Sequence, residues 1–347
     1  MAAILISIIW LALESSAKTS SVILYHGNRD DGWEFVWMKQ ESLECVSAAI
    51  RSGTTGQDEA LRLAVYVSSP GAFLVADMEI SGMMRYTQSM DYVEHNKQAW
   101  NTEVSRRNTW TIPVDSETIR LAREGKFSIN LTTFKPVPAA WLGELKGKRV
   151  LCLAGGGGQQ GPVLAAAGAM VTVFDNSGMQ LEQDRLVAGR EGLELVTEQG
   201  DMLDLTRFGD GSFDLIFNPI SNCFIDRLRP VWESCHRLLS PGGRLLTGIT
   251  NPVLYVFDEK AEAKGRLRVK YTLPYSDLTS LSRKELQKRI ETDDTIEFSH
   301  TLEGQLGGIC DAGFAITGFY SDTSGFEPLD SFIGDCYLAV MAEKRYC

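Results

Sequence analysis

Four consecutive glycines, Gly155 to Gly158, sit inside the stretch VLCLAGGGGQQG, after the apolar residues Val150, Leu151 and Leu153. A run of small residues, Pro162 to Ala169, follows. Glycine loses more backbone freedom on ordering than any other residue, so four together suit neither a helix interior nor a strand interior. They suit a sharp turn that brings backbone N–H groups against a ligand. A strand, a glycine turn and a helix N-terminus make such a corner, because the first N–H groups of a helix lack internal partners and its end is positive. Gly156, Gly158 and Gly161 also match G-x-G-x-x-G, a spacing shared by more than one class of nucleotide-like ligand. Asp175 ends the β-branched run Val171-Thr172-Val173-Phe174, 17 residues after Gly158. That is close to the roughly 20 expected of an acid that accepts from both hydroxyls of a ribose. The same carboxylate has a second possible role, as a cap on a helix beginning near Ser177.

These residues need a frame. The spacing predicts a helix over Gly178 to Gly189, then a third strand at Leu193 to Val196 that runs into Gly200-Asp201-Met202. A fourth strand, Phe213 to Phe217, runs into Asn218-Pro219. A helix over Val231 to Leu239, a tight turn at Ser240-Pro241-Gly242-Gly243 and a fifth strand at Arg244 to Ile249 complete the alternation. Strand–helix alternation of this kind predicts a parallel, doubly wound α/β sheet. Ahead of it, Tyr92, Val93, Asn96 and Trp100 fall at helical spacing, and Asp115-Ser116 reads as the start of a second helix. Together they predict a helical cap, joined to the core by a proline-containing linker from Phe134 to Trp141.

The chain has 347 residues, a net charge of −11, seven cysteines without a C-x-x-C pair and four dispersed histidines. The negative charge argues against a nucleic-acid backbone or an anionic membrane as partner. The cysteine and histidine pattern predicts reduced thiols in a cytoplasmic setting and no metal site. Ala2 to Leu13 is apolar but shorter than the roughly 18 residues of a membrane span, and no Lys or Arg precedes it. Residues 1–83 are expected to form a poorly organised extension without a chemical motif, holding strands at most over Leu61 to Val67 and Ala72 to Ile80.

Taken in order, VLCLAGGGGQQG, FDNS, GDM, FDLIFNP and LLSPGG resemble the class I S-adenosylmethionine-dependent methyltransferases. The likeness is greatest to the small-molecule branch near the ubiquinone and menaquinone biosynthesis enzymes. It runs from about Asp91 to Thr250 and onward: His300 to Gly313 is similar to the family helix before its sixth strand, and Phe314 to Tyr320 and Tyr337 to Ala342 to its last two strands. The resemblance implies a Rossmann-like, seven-stranded, mostly parallel sheet with an antiparallel last strand, over residues 146–347. It implies S-adenosylmethionine as cofactor and transfer of its methyl group to a small-molecule acceptor. It places Gly155, Gly156 and Gly158 against the methionine half, Asp175 at the ribose, Asp201 and Met202 at the adenine and Asn218 beside the sulfonium, with Ala154 and Asn176 also among the cofactor-binding residues. One departure stands out: Cys152 occupies the place where the family usually carries an acid, and Ala154 replaces a glycine. The cofactor's ammonium group is thereby left without its usual partner.

Residues 84–145 are expected to form the cap and linker. Residues 251–299 form an insert too long for a bare loop, so a lid or substrate element is expected there. Within it, Leu267, Val269 and Tyr271 alternate like a strand that pairs with Thr295 to Phe298, around a charged helix from Ser282 to Ile290. Trp100, Trp110, Tyr255, Tyr275 and His300 are the candidates to touch the acceptor, each with packing as its ordinary alternative. Two other functions fit part of the pattern. A nicotinamide-dependent oxidoreductase fits the glycines and Asp175, but leaves Gly200-Asp201-Met202 and the Ser240 to Gly243 turn unexplained. A non-catalytic protein that binds S-adenosylmethionine fits the change at Cys152. The sequence assigns no catalytic base and no oligomeric state.

Overall fold

The computed structural model describes the backbone of five strands between Tyr25 and Glu79, and residues 91–345 with their side chains. The chain divides into two compact units, residues 1–90 and 91–347. In the first, β1 (Tyr25–Arg29), β2 (Gly32–Met38), β3 (Cys45–Thr55), β4 (Asp58–Ser69) and β5 (Ala72–Glu79) form an antiparallel meander, each strand pairing with the next. The described part of the expected extension is thus this meander, and both expected strands fall within β4 and β5. The Ala2 to Leu13 run lies outside the described residues.

The second unit is a seven-stranded sheet in the order β11-β12-β10-β9-β6-β7-β8. Its strands are β6 (Arg149–Leu153), β7 (Met170–Asp175), β8 (Leu195–Gln199), β9 (Phe213–Asn218), β10 (Leu239–Thr250), β11 (Phe314–Asp322) and β12 (Tyr337–Lys344). β8, β7, β6, β9 and β10 pair in parallel, whereas β12 runs antiparallel to both β10 and β11. The side-chain alternation of a strand explains the layers. On β6, Val150 and Cys152 join one hydrophobic cluster, Leu151 and Leu153 the other, and all four are fully buried. Burial on both faces is what a parallel strand covered by helices requires.

The helices begin where acceptor side chains allow it. Asp91 accepts from the Glu94 N–H to start α1 (Tyr92–Arg106), and Asp115 accepts from the Thr118 N–H to start α2 (Ser116–Arg123). α3 (Gln160–Ala166) follows β6 through the glycine turn. Ser177 caps α4 (Gly178–Glu191), and α5 (Arg229–Leu238) packs Val231, Trp232, Cys235 and Leu238 on the sheet. In the insert, Ser282 and Glu285 satisfy each other's backbone in a reciprocal cap on α6 (Arg283–Glu291).

Two expectations are corrected. Ser240 to Gly243 is not a turn ahead of a strand but an irregularity within β10, where the register to β9 shifts between Leu239 and Arg244. In the insert, Val269 bridges Phe257, and Phe298 bridges Ser276, so the expected pairing between 267–271 and 295–298 is absent. Val269 is exposed, so its alternation marks no buried sheet face, and the Glu297 N–H is taken by the Asp277 carboxylate at 2.7 Å.

Candidate functional site

The carboxyl ends of the central parallel strands open into a cavity of about 1260 Å³. One wall is the glycine turn. Ala154, which follows β6, adopts a left-handed φ of 47°, a strained conformation for a residue with a Cβ, and its N–H donates to the Phe174 carbonyl at 2.7 Å. Gly157 has φ of 119°, which only glycine adopts readily. At Gly156 the reason is contact: a Cβ there would lie 2.8 Å from Gln180 Cβ and 3.2 Å from Asp175 Cγ. The turn thus presents bare backbone to the cavity at Ala154, Gly155 and Gly156.

Asp175 stands beside it. Its Oδ2 accepts from the Gly156 N–H at 3.0 Å and its Oδ1 from the Ser177 N–H at 2.9 Å. A carboxylate has about four lone-pair positions, so capacity for further donors remains. Asp175 thus ties the glycine turn to the residue that caps α4, Ser177, and it lines the cavity. Burial raises its pKa, against the opposing pull of the N–H donors of Ser177 and Gly156. The Asn176 side chain donates to the Val93 carbonyl and so docks cap helix α1 on this corner. Asp201 and Met202 continue the same wall, and burial likewise raises the pKa of Asp201.

The far side is supplied by the cap and the insert. Trp100 meets the Phe224 ring edge to face at 5.4 Å, and Trp110, nearly half exposed, lies at the rim. Tyr255 and Tyr275 stack at 5.4 Å with 26° between their planes, and both face the cavity. The two segments are joined by Asn96 of α1, a buried side chain that donates to the Ile296 carbonyl at 2.9 Å and accepts from its N–H at 2.7 Å.

Three expected site residues lie elsewhere. Asn218 is fully buried; it donates to the Leu153 carbonyl and the Ser221 hydroxyl and accepts from Thr247, so its side chain ties strand ends together and does not reach the cavity. Gly158 faces α4, where a Cβ would lie 2.8 Å from the Gln183 carbonyl oxygen, and its own carbonyl accepts from Val114. His300 places Nε2 at 3.0 and 2.9 Å from the carbonyls of Asn222 and Ile225. Carbonyls only accept, so this nitrogen carries the proton and the ring is a structural tie, with burial holding its pKa down.

Sequence reasoning passed over Asp184. It is fully buried on α4 and accepts from the Gly157 N–H at 3.0 Å, beneath the glycine turn. Burial pushes its pKa up to about 7, although the N–H groups of Gly158 and Gly157 pull the other way. Its charge also raises the pKa of the Cys152 thiol, itself lifted mainly by burial. Asp184 thus braces the glycine turn from below and does not line the cavity. The signal was present, because Gln180, Leu181, Asp184 and Val187 form the inward stripe of α4 and a carboxylate on such a stripe is rarely idle. Glu297, passed over as part of an expected strand, also lines the cavity, and Tyr255 donates to its Oε2 at 2.8 Å.

The site suits a polar ligand the size of a nucleoside conjugate. The volume is ample, Asp175 retains acceptor capacity, and Gln180, in the cavity wall, has a buried Oε1 with no hydrogen-bond partner. Among the described residues no cluster of three His, Cys, Asp or Glu could hold a metal, and no helix is long and apolar enough to cross a membrane.

The chain is similar to several known proteins. A family described as a methyltransferase domain matches residues 151–247. The uncharacterized methyltransferase YbaJ of Bacillus subtilis (strain 168) is 48% identical over 241 residues, covering 70% of this chain and 94% of that one. A ubiquinone biosynthesis O-methyltransferase of Nitrosococcus oceani is 36% identical over 115 residues, 33% of this chain and 49% of that one. Among solved structures, an S-adenosylmethionine dependent methyltransferase from Mesorhizobium loti overlays with a TM-score of 0.46 at 20% identity, covering 59% of this chain and 94% of that one. The glycine corner, the family match and the relative matched over nearly its whole length lead to one conclusion: this chain belongs to the S-adenosylmethionine-dependent methyltransferases.

Proposed function

We propose that the cavity holds S-adenosylmethionine along the wall of Ala154, Gly155, Gly156, Asp175, Asn176, Asp201 and Met202, and a small-molecule acceptor beneath the cap and the insert. The cofactor supplies a methyl group on a positively charged sulfur. The chain's own residues bind, orient and exclude water. Asp175 takes the ribose hydroxyls, Met202 packs on the adenine face, and the backbone of the turn receives the methionine half. Trp100, Trp110, Tyr255 and Tyr275 wall the acceptor's side, which favours alignment of the two reactants and keeps bulk water out.

The observation that carries this reading is convergence: strand ends, cap and insert, far apart in sequence, line one cavity. A cleft of this kind favours a small acceptor, and the net charge of −11 disfavours a nucleic acid. The five described cysteines are all unpaired, which accords with a cytoplasmic protein. Calorimetry tests the cofactor half. A hydrogen bond to a charged group contributes about 1.5 to 3 kcal/mol, so Asp175→Ala should weaken S-adenosylmethionine binding roughly 10- to 150-fold. Unchanged affinity would refute the placement.

A further inference from the structure

Glu297 is the unclaimed group of the cavity. It lies on the insert, its Oε2 accepts from the Tyr255 hydroxyl at 2.8 Å, and its Oε1 is 3.4 Å from the Thr295 hydroxyl. No Lys or Arg of the described residues forms an ion pair with it. Arg289, the cation on this side of the cavity, is committed to Glu259 at 2.5 Å and Asp277 at 3.5 Å. The other ionisable groups around Glu297 are Tyr255, Cys223, Tyr337, Asp277 and Glu259, none of which brings positive charge. Burial raises the pKa of the Glu297 carboxyl; the Tyr255 hydrogen bond and the Arg289 charge pull it down, and the Asp277 and Glu259 charges push it up. Beside it, the Tyr255 and Tyr275 rings stack, with Tyr271 edge-on to Tyr275 at 5.0 Å. The Tyr275 hydroxyl donates to Asp277, and its ring is buried between Tyr255 and Tyr271, so it supports the neighbouring rings. A cavity carboxylate without an ion-pair partner, beside a cluster of tyrosine rings, suits one ligand chemistry, a positively charged nitrogen on an apolar body.

Building on the proposed methyl transfer, we propose that the acceptor is a basic amine, bound as its ammonium ion against Glu297 beside the tyrosine cluster, and that Glu297 takes its proton. An ammonium nitrogen has no free electron pair. When one N–H proton passes to the Glu297 carboxylate, the pair left on nitrogen forms the new N–C bond. The S–C bond breaks with its pair staying on sulfur, and the products are a methylated ammonium ion, neutral S-adenosylhomocysteine and protonated Glu297. A general base of this kind contributes typically 100- to 10,000-fold. Tyr255 is a positioning residue that fixes one carboxylate oxygen.

The test uses the full chain saturated with S-adenosylhomocysteine. Phenethylamine, phenethyl alcohol and phenylacetate, one body with three head groups, are titrated by calorimetry into wild type and Glu297→Gln. The amide still accepts from Tyr255, so the variant keeps that contact, and unchanged S-adenosylhomocysteine affinity certifies its fold; Glu297→Asp serves if it does not. The expected result is phenethylamine bound at least about tenfold more tightly than the other two, with the preference lost in the variant. No binding of phenethylamine, equal binding of the alcohol or the carboxylate, or a preference that survives Glu297→Gln overturns the proposal. Failure of wild type to bind S-adenosylhomocysteine would instead defeat the underlying reading of the cavity.

Discussion

Gly155 and Gly156 bring backbone to the cavity from the end of a strand buried from Val150 to Leu153, whereas Tyr255, Tyr275 and Glu297 bring side chains from an insert without a single regular strand. The first wall is fixed by the sheet: β6 pairs with β7 and β9, and Asp175 and Asp184 clamp the turn from two sides. The second wall is fixed by scattered contacts, the Asn96 bonds to Ile296 and the Tyr255 and Tyr275 hydroxyls on Glu297 and Asp277. A wall made of backbone can serve one cofactor in many proteins, while a wall made of side chains on an insert can change with the acceptor.

That contrast can be broken first at the cap. Trp100→Ala removes an aromatic wall while leaving the glycine corner intact. Misplacing a reactant by an ångström costs about 100-fold, so methyl transfer should fall at least that far while S-adenosylmethionine affinity stays within roughly tenfold, about 1.4 kcal/mol. Equal losses of both would show that the two walls are not separable.

The same contrast explains what the sequence disclosed. The glycine run, the strand ending in Asp175 and the parallel alternation are patterns of local periodicity and spacing, and the structure contains each of them. Asn218 and His300 misled because a polar residue at a strand end or a loop gives no sign of its partners. Asn218 closes on Leu153, 65 positions away, and His300 on Asn222 and Ile225. Glu297 was hidden for the converse reason: its meaning comes from Tyr255, 42 positions earlier, across a segment with no regular period. Asp184 was readable in principle from the inward stripe of α4.

A smaller effect is expected from Asp184→Asn. The folded-state pKa near 7 lies above the usual carboxyl value of 3.8. The neutral acid therefore contributes stability below pH 4 that is lost as pH rises through 7. Unfolding by urea should show wild type losing roughly 2 to 4 kcal/mol relative to the variant between pH 4 and pH 8. Parallel pH profiles would mean that Asp184 is not held protonated beneath the turn. The smallest effect is expected from removing the meander. A chain begun at Met84 keeps the whole seven-stranded unit and should bind S-adenosylmethionine within about twofold of the full chain by calorimetry, because the two units are separately compact. Insolubility of the shortened chain alone would assign the meander to the core.

A crystal structure with bound S-adenosylhomocysteine tests the division of the cavity most directly. The account predicts the ribose on Asp175, the adenine between Asp201 and Met202, and the sulfur facing the space enclosed by Trp100, Tyr255, Tyr275 and Glu297. A sulfur directed away from both the cap and the insert would contradict it.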